Sequence, residues 1–176
     1  KIFIGNLEEI NLKYPDLLKK YLDNLSKDKD FFYYLNSAFM KDLSVVFIKK
    51  NAEIAHPIYL NNIINGEFVN VHPRTLVIAE EGSSSLIIED NSQKSADKSF
   101  SNLVSEFLIC KNANMKHINL YRHNETVSSM SNINVNLERD SLYSAWIFST
   151  GSKILRNNIF LNLNDEGAEC NLAGLC

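Results

Sequence analysis

The chain is poor in cysteine and has no cysteine spacing that would make a site. Cys110, Cys170 and Cys176 are odd in number and include no CxxC pair, which argues against both a disulfide framework and a zinc knuckle. An excess of positive charge is also missing. Eighteen Lys and Arg stand against 21 Asp and Glu, a formal charge of −3, so nucleic acid is not the default partner. No stretch approaches the roughly 18 apolar residues that cross a bilayer, and the start carries no charged-then-apolar secretion signal. A cytosolic or organelle-stromal protein is expected. There is no Gly-x-Ser-x-Gly elbow, and Gly151-Ser152-Lys153 lacks the upstream glycine of a phosphate loop. At 176 residues and 45% hydrophobic content, the chain suits one domain, or one with a small appendage, with ample core. It begins at Lys1 and stops inside a strand-like run, as expected of a piece of a longer protein.

What is present is a repeat. Five times an apolar, strand-like run leads to Gly, Asn or Asp followed at once by Ala or Ser: Asn51-Ala52, Gly82-Ser83, Asn112-Ala113, Asp140-Ser141 and Gly167-Ala168. The steps between them are 31, 30, 28 and 27 residues, a period that signals stacked units. Gly, Asn and Asp are the residues that most readily take the left-handed backbone of a sharp corner, and a small neighbour suits a crowded inner bend. The runs before the corners (Val45 to Ile48, Leu76 to Ile78, Phe107 to Ile109, Val135 to Leu137, Phe160 to Leu163) are strand-like. The reading is a mainly β protein, a right-handed parallel β-helix of about five turns, each step one turn. Evenly spaced hairpins in an ordinary antiparallel β-domain are the competing reading.

Residues 1–41 are of another kind and form an N-terminal helical segment; residues 42–176 are the partial β-helix core, expected to be truncated at its C-terminal end. Pro15 suits a first helical turn, with Leu17, Leu18, Tyr21, Leu22 and Leu25 on one face. A second helix runs from about Asp30 to Met40, where Phe31, Leu35, Ala38 and Phe39 recur as an apolar stripe. The connector Ser26 to Asp30 reads as a solvated turn and Ser92 to Ser99 as a mobile loop. The helical segment is placed to cap the first turn of the coil.

Candidate chemistry is sparse. His56, His72, His117 and His123, with Cys110 or Cys170, are residue types that bind iron. Equal offsets from their corners set His56 and His117 two turns apart, about 10 Å at the usual strand spacing, too far for one metal. His72 precedes Pro73 and reads as a strand-entry residue. Cys170 falls in a mostly apolar column with Ile54, Ser85, Met115 and Tyr143, so a buried, inert thiol is expected; Cys176, at the chain end, is expected to be exposed. Arg74 with Glu80, Glu81, Glu89 and Asp90 reads as a polar rim, and Tyr143 and Trp146 as core or stacking residues. No residue is assigned a catalytic, cofactor-binding or metal-binding role.

Several segments resemble one family. Phe31 with Leu35-Asn36-Ser37-Ala38-Phe39, then Asn51-Ala52-Glu53-Ile54 and His56-Pro57-Ile58, resemble the entry to the core of the SufB/SufD proteins of iron-sulfur cluster assembly. His72-Pro73-Arg74-Thr75-Leu76-Val77-Ile78, Asn102-Leu103-Val104-Ser105-Glu106 and Asn112-Ala113 look like later landmarks of it. Leu155-Arg156-Asn157-Asn158 and Gly167-Ala168-Glu169-Cys170-Asn171-Leu172-Ala173-Gly174-Leu175 are most similar to SufD. The resemblance implies a non-catalytic scaffold subunit that pairs with SufB through its β-helix and engages the SufC ATPase through a later helical region, in the cytoplasm or plastid stroma. A transient iron-sulfur cluster is then expected only of the full complex, with no cofactor bound by these residues. Self-association through the open end of the coil near Gly174-Leu175-Cys176 is a further expectation. The alternative is a carbohydrate-active β-helix enzyme, a lyase or hydrolase, but Asp90, Asp97, Asp140 and Asp165 sit at unrelated offsets from the corners. Hexapeptide acyltransferases have a much shorter repeat.

Overall fold

A computed structural model describes residues 1–26, 29–95 and 98–176. All five corner residues adopt positive φ, from +54° at Asn51 and Asp140 to +70° at Gly167. The corner is a tight turn closed by the small residue that follows it. Ala52 N donates to Lys49 O, Ser83 N to Glu80 O, Ala113 N to Cys110 O and Ser141 N to Glu138 O. Corners are stitched vertically as well, since each corner N–H from Asn51 to Asp140 donates to a carbonyl of the next turn, at 2.9–3.0 Å. Glycine is required where the stack is tightest, because a Cβ on Gly82 would overlap the Asn51 side chain and one on Gly167 the Asp140 side chain.

Two parallel sheets meet at these corners. The first contains β2 (Ser44–Ile48), β5 (Arg74–Ala79), β7 (Phe100–Ile109), β9 (Ser128–Leu137) and β11 (Ile154–Leu163), with the short β4 (Asn70–Val71) beside β7. The second contains β3 (Ile58–Asn65), β6 (Ser84–Ser95), β8 (Asn114–Arg122), β10 (Leu142–Thr150) and β12 (Glu169–Leu175). Register follows the corner repeat: Ile48, Ala79, Ile109, Leu137 and Leu163 stand in one column before the corner, and Ser85, Met115, Tyr143 and Cys170 in one after it. The molecule is therefore a parallel β-solenoid of about five turns, and the hairpin reading is excluded. Between the sheets lies the core, including Val46, Ile48, Val77, Ile87, Phe107, Ile109, Met115, Ile133 and Val135.

The first turn departs from the repeat. Glu53 bridges Ser84, but the next pairing is Ile58 with Ile87, so two extra residues are looped out before Pro57. That corrects the expected alignment of His56 with His117: Ile58 occupies the His117 column, and His56 is exposed. The start of the chain also differs from a purely helical segment. β1 (Ile2–Gly5) pairs antiparallel with β2 and covers the first edge of the first sheet, a place where open backbone groups need a partner. α1 (Leu7–Lys13) follows, opened by an Asn6/Glu9 capping box. α2 (Pro15–Tyr21) has Pro at its start, and α3 (Phe31–Phe39) is capped by the Asp30 carboxylate, which accepts from Tyr33 N at 2.9 Å. The helices lie across the outer face of the first sheet instead of its end, with Leu17, Leu18, Tyr21 and Leu22 packed on a cluster that includes Phe47, Leu76 and Ile78.

Two expected loops need revision. Residues 92–95 continue β6, held by pairing with β3 and, at Ser92, with β8; Ala96 and Asp97 lie outside the described residues. In the connector, Ser26 is buried against the first sheet, while Lys27 and Asp28 lie outside the described residues. Among those described, no helix is long and apolar enough to cross a membrane.

Candidate functional site

Strand alternation sends polar side chains to two sealed places. The first is between α3 and the first sheet. Arg74 and Glu106 point outward from neighbouring strands β5 and β7, under the helix. Arg74 Nη2 lies 2.6 Å from Glu106 Oε2, 2.9 Å from Asp23 Oδ1 and 2.7 Å from Tyr33 Oη, and Nη1 reaches Asn36 Oδ1 and Ser37 Oγ at 3.2 Å. Tyr33 Oη also donates to Glu106 Oε1 at 2.8 Å. The Asn36 amide donates to the carbonyls of Pro73 and Asn102, and the Asn102 amide to that of Phe32. Both charged side chains of the central pair are fully buried, a state tolerated only with partners of this kind.

The helix is consequently inverted. Its buried residues are Tyr33 and Asn36, while the apolar stripe faces outward, with Phe31 69% and Phe39 61% exposed. An Arg–Glu pair beneath the helix demands polar partners, and that demand outweighs burial of the stripe. Farther along the same sheet face the columns turn to asparagine. Asn132 and Asn158 donate to the Asp30 carboxylate, Asn136 donates to the Leu25 carbonyl, and Ser26 donates to Asn134. These side chains pair with the described residues of the stretch between α2 and α3, namely Leu25, Ser26 and Asp30.

The second sealed place is inside the coil. Glu89, His117 and Tyr143 point inward from β6, β8 and β10, facing Ser105 of β7. Tyr143 Oη is 2.7 Å from His117 Nδ1. Burial, then the nearby Glu89 charge, pushes the tyrosine hydroxyl up, so it keeps its proton. The other imidazole nitrogen, Nε2, lies 3.2 Å from Glu89 Oε2 without the alignment of a hydrogen bond. Ser105 Oγ lies 3.0 Å from both carboxylate oxygens. Burial raises the Glu89 pKa, but His117 together with the Thr75 and Ser105 hydroxyls outweighs it and holds the group below its ordinary value. The Phe107 ring lies 4.7 Å from the imidazole. Glu89, His117 and Tyr143 are each no more than 1% exposed, so the set is closed to solvent and is held together by its own contacts.

The remaining candidates are dispersed. His72 stacks on Phe39 and His123 sits near Ser152 Oγ; burial lowers both pKa values. Cys170 packs on the core and Cys110 on the helix-covered face, both half-buried, and Cys176 is exposed. Burial, then the Glu138 carboxylate, pushes the Cys110 thiol up to about 12; burial also raises that of Cys170. Neither is poised as a nucleophile. Among the described residues no three His, Cys, Asp or Glu side chains gather as a metal site. The expected polar rim is dispersed: Arg74 lies beneath α3, Glu89 inside the coil, and Asp90 on the outer face of the second sheet under Tyr59 and Arg122. Glu80 and Glu81 stay at the corners. Asp140 and Asp165 also lie at corners; Asp97 is outside the described residues.

Glu106 and the Glu89–His117–Tyr143 set were not singled out from the sequence as partners. The repeat contained the signal. Counted from their corners, Tyr143, His117 and Glu89 sit at offsets of three, five and seven, all odd and therefore on one face of adjoining strands.

The profile of the SUF system FeS cluster assembly SufBD core domain matches residues 59–176, and that of the SufBD protein N-terminal region matches residues 1–60. The chain belongs to the SufBD family. An iron-sulfur cluster assembly SufBD family protein of Synechocystis sp. is 26% identical over 168 residues, covering 90% of this SufBD chain and 37% of that protein. The chloroplastic protein ABCI7 of Arabidopsis thaliana is 25% identical over 167 residues, 90% of this chain and 35% of its own. Another chloroplastic Arabidopsis protein of the SufBD family, ABCI8, is 39% identical over 83 residues, 47% of this chain and 15% of its own. The SufBD chain thus spans little more than a third of the first two relatives. Its buried locks use residues from the segments that resemble the family: Asn36, Arg74, Thr75, Asn102, Ser105 and Glu106.

Proposed function

We propose that this iron-sulfur cluster assembly protein is a SufD-type, non-catalytic scaffold subunit that works beside SufB-like and SufC-like subunits, the latter supplying ATPase activity, in the cytoplasm or plastid stroma. The observation that carries the reading is the tandem match of both SufBD profiles over the whole chain, on a coil whose buried polar groups hold helix to sheet. The SufD assignment rests on the wording of residues 167–175. The assembling cluster is cargo of the complex, and no residue described above is assigned to it. Among the described residues β11 and β12 are outermost strands of their sheets, and a further strand of any origin would pair there.

The test is co-expression of the uninterrupted gene product with its SufB-like and SufC-like neighbours, followed by purification and iron and sulfide analysis. A stoichiometric complex that accumulates iron and sulfide, with no polysaccharide turnover, is expected. Failure to co-purify, or turnover of a polysaccharide, overturns the reading.

A further inference from the structure

The chain carries a covalent weak point where it leaves β3. Of all its asparagines Asn65 alone is followed by glycine, and no aspartate is. Glycine has no Cβ to screen its nitrogen from the side chain before it, and Gly66 stands at φ +122°, a backbone state that other residues rarely adopt. Asn65 is the last residue of β3 and is exposed, and among the described residues no hydrogen bond holds its side-chain amide. Its ladder partner is Ser95, the last residue of β6, reached across a register shift after Ile64. Among the described residues β3 has no second neighbour in its sheet, and such an end opens at little cost. Other asparagines with small successors are held. The Asn36 amide donates to the Pro73 and Asn102 carbonyls and the Asn91 amide to Asn119 Oδ1, and both side chains are buried. After Asn51 and Asn112, the N–H of the following alanine is tied into the corner turn.

We propose that Asn65-Gly66 is a site of spontaneous deamidation, whose isoaspartyl product makes the protein a substrate for a protein-isoaspartate methyltransferase. The Gly66 nitrogen loses its proton and attacks Asn65 Cγ. A C–N bond forms, the Cγ–Nδ2 bond breaks, and Nδ2 leaves as ammonia with that proton. Water then opens the resulting succinimide at either carbonyl, giving aspartate or isoaspartate, each with a new negative charge at neutral pH. Isoaspartate also routes the backbone through Cβ and so lengthens it by one carbon. That carbon enters between Ile64, which is buried in the coil, and Val69, whose carbonyl accepts from Phe100 N at 2.9 Å. The distortion therefore stays in the loop and the end of β3. A methyltransferase of this class moves a methyl group from S-adenosylmethionine to the freed α-carboxylate. Deamidation itself needs only water, and depends on none of the proposed partners.

The test ages the folded full-length protein in mildly alkaline buffer beside a synthetic peptide of residues 61–70. Both are followed by peptide mass mapping and by methyl labelling with a protein-isoaspartate methyltransferase and S-adenosylmethionine. Because the end of β3 opens at little cost, Asn65 is expected to convert at a rate within about ten-fold of the peptide's, while Asn36 and Asn91 stay intact. Asn65→Gln should abolish the label; it is chosen over Gly66→Ala because a Cβ at Gly66 would meet Val69 Cγ1 at 3.1 Å, at a φ that strains any side chain. A folded-state rate more than about ten-fold below the peptide's overturns the inference. So does earlier conversion at another asparagine, or label that survives Asn65→Gln.

Discussion

The two outer faces of the coil begin from the same kind of column and end differently. On the first sheet, Val45, Phe47, Leu76, Ile78 and Leu108 point outward and are buried under the N-terminal helices; on the second, Tyr59, Trp146 and Phe148 point outward and stay exposed. Their strands record the difference. β5 is buried at all six residues, the apolar run Leu76 to Ala79 following Arg74 and Thr75, whereas β8 alternates between buried and more exposed positions. A covered face must also satisfy whatever polar backbone its cover brings. That accounts for the Arg74–Glu106 pair and the asparagine columns, which the bare face does not share.

The largest expected effect breaks the covered face. Arg74→Met leaves Glu106 buried beside Tyr33 without its cation, and removing one partner of such a pair costs about 3–5 kcal/mol. Arg74→Met combined with Glu106→Met replaces the pair with apolar volume and should restore part of that loss. Denaturant titration gives the energies. Hydrogen exchange should show α3 losing protection in the single variant while β8 and β10 keep theirs. Equal loss on both faces would mean that the lock supports the whole coil and not its cover.

A smaller effect separates the interior from both faces. Folding depresses the Glu89 pKa below its ordinary value of 4.5, so the ionised group favours the folded state above that value, and the contribution is lost as pH falls through and below it. Glu89→Gln keeps the shape, weakens the contact with His117, and should cost about 1–3 kcal/mol at neutral pH. The variant should also lose less stability than the parent between pH 5 and pH 3, read from urea midpoints. Asp90, held low on the bare face by Arg122 and Tyr59 against its burial, titrates in both proteins and cancels in the difference. A parallel decline in the two would show that Glu89 is not the acid-sensitive group.

The backbone plan was legible because it is local: each corner needs a left-handed residue and then a small one, and that requirement recurs on every turn. β1 was not, since four residues beside a two-sided sheet carry no period of their own. The orientation of α3 was not legible either. A stripe of Phe31, Leu35, Ala38 and Phe39 signals burial in isolation, and only the long-range placement of Arg74 and Glu106 reverses it. His117 was misaligned with His56 because two residues looped out before Pro57 shift the register of the first turn. The inward clustering of Glu89, His117 and Tyr143 was available from offset parity, but only once the sheets were known to share a register.

The smallest expected effect tests whether the bare face is bare by default or awaits a cover. In the full-length protein without partners, Phe148→Ser removes a half-exposed ring that fills no core space, and should change stability by no more than about 1 kcal/mol. Phe47→Ala, the counterpart on the covered face, opens a cavity and should cost about 3–5 kcal/mol. If the second sheet is covered in the assembly, the cost of Phe148→Ser should appear only when the complex forms, in partner affinity instead of folding. Titration of the variant with its partners should then show at least a ten-fold weaker complex at an unchanged denaturation midpoint. An unchanged affinity would make the apolar columns of that face a property of the coil alone, and the contrast between the two faces would reduce to where the N-terminal helices happen to lie.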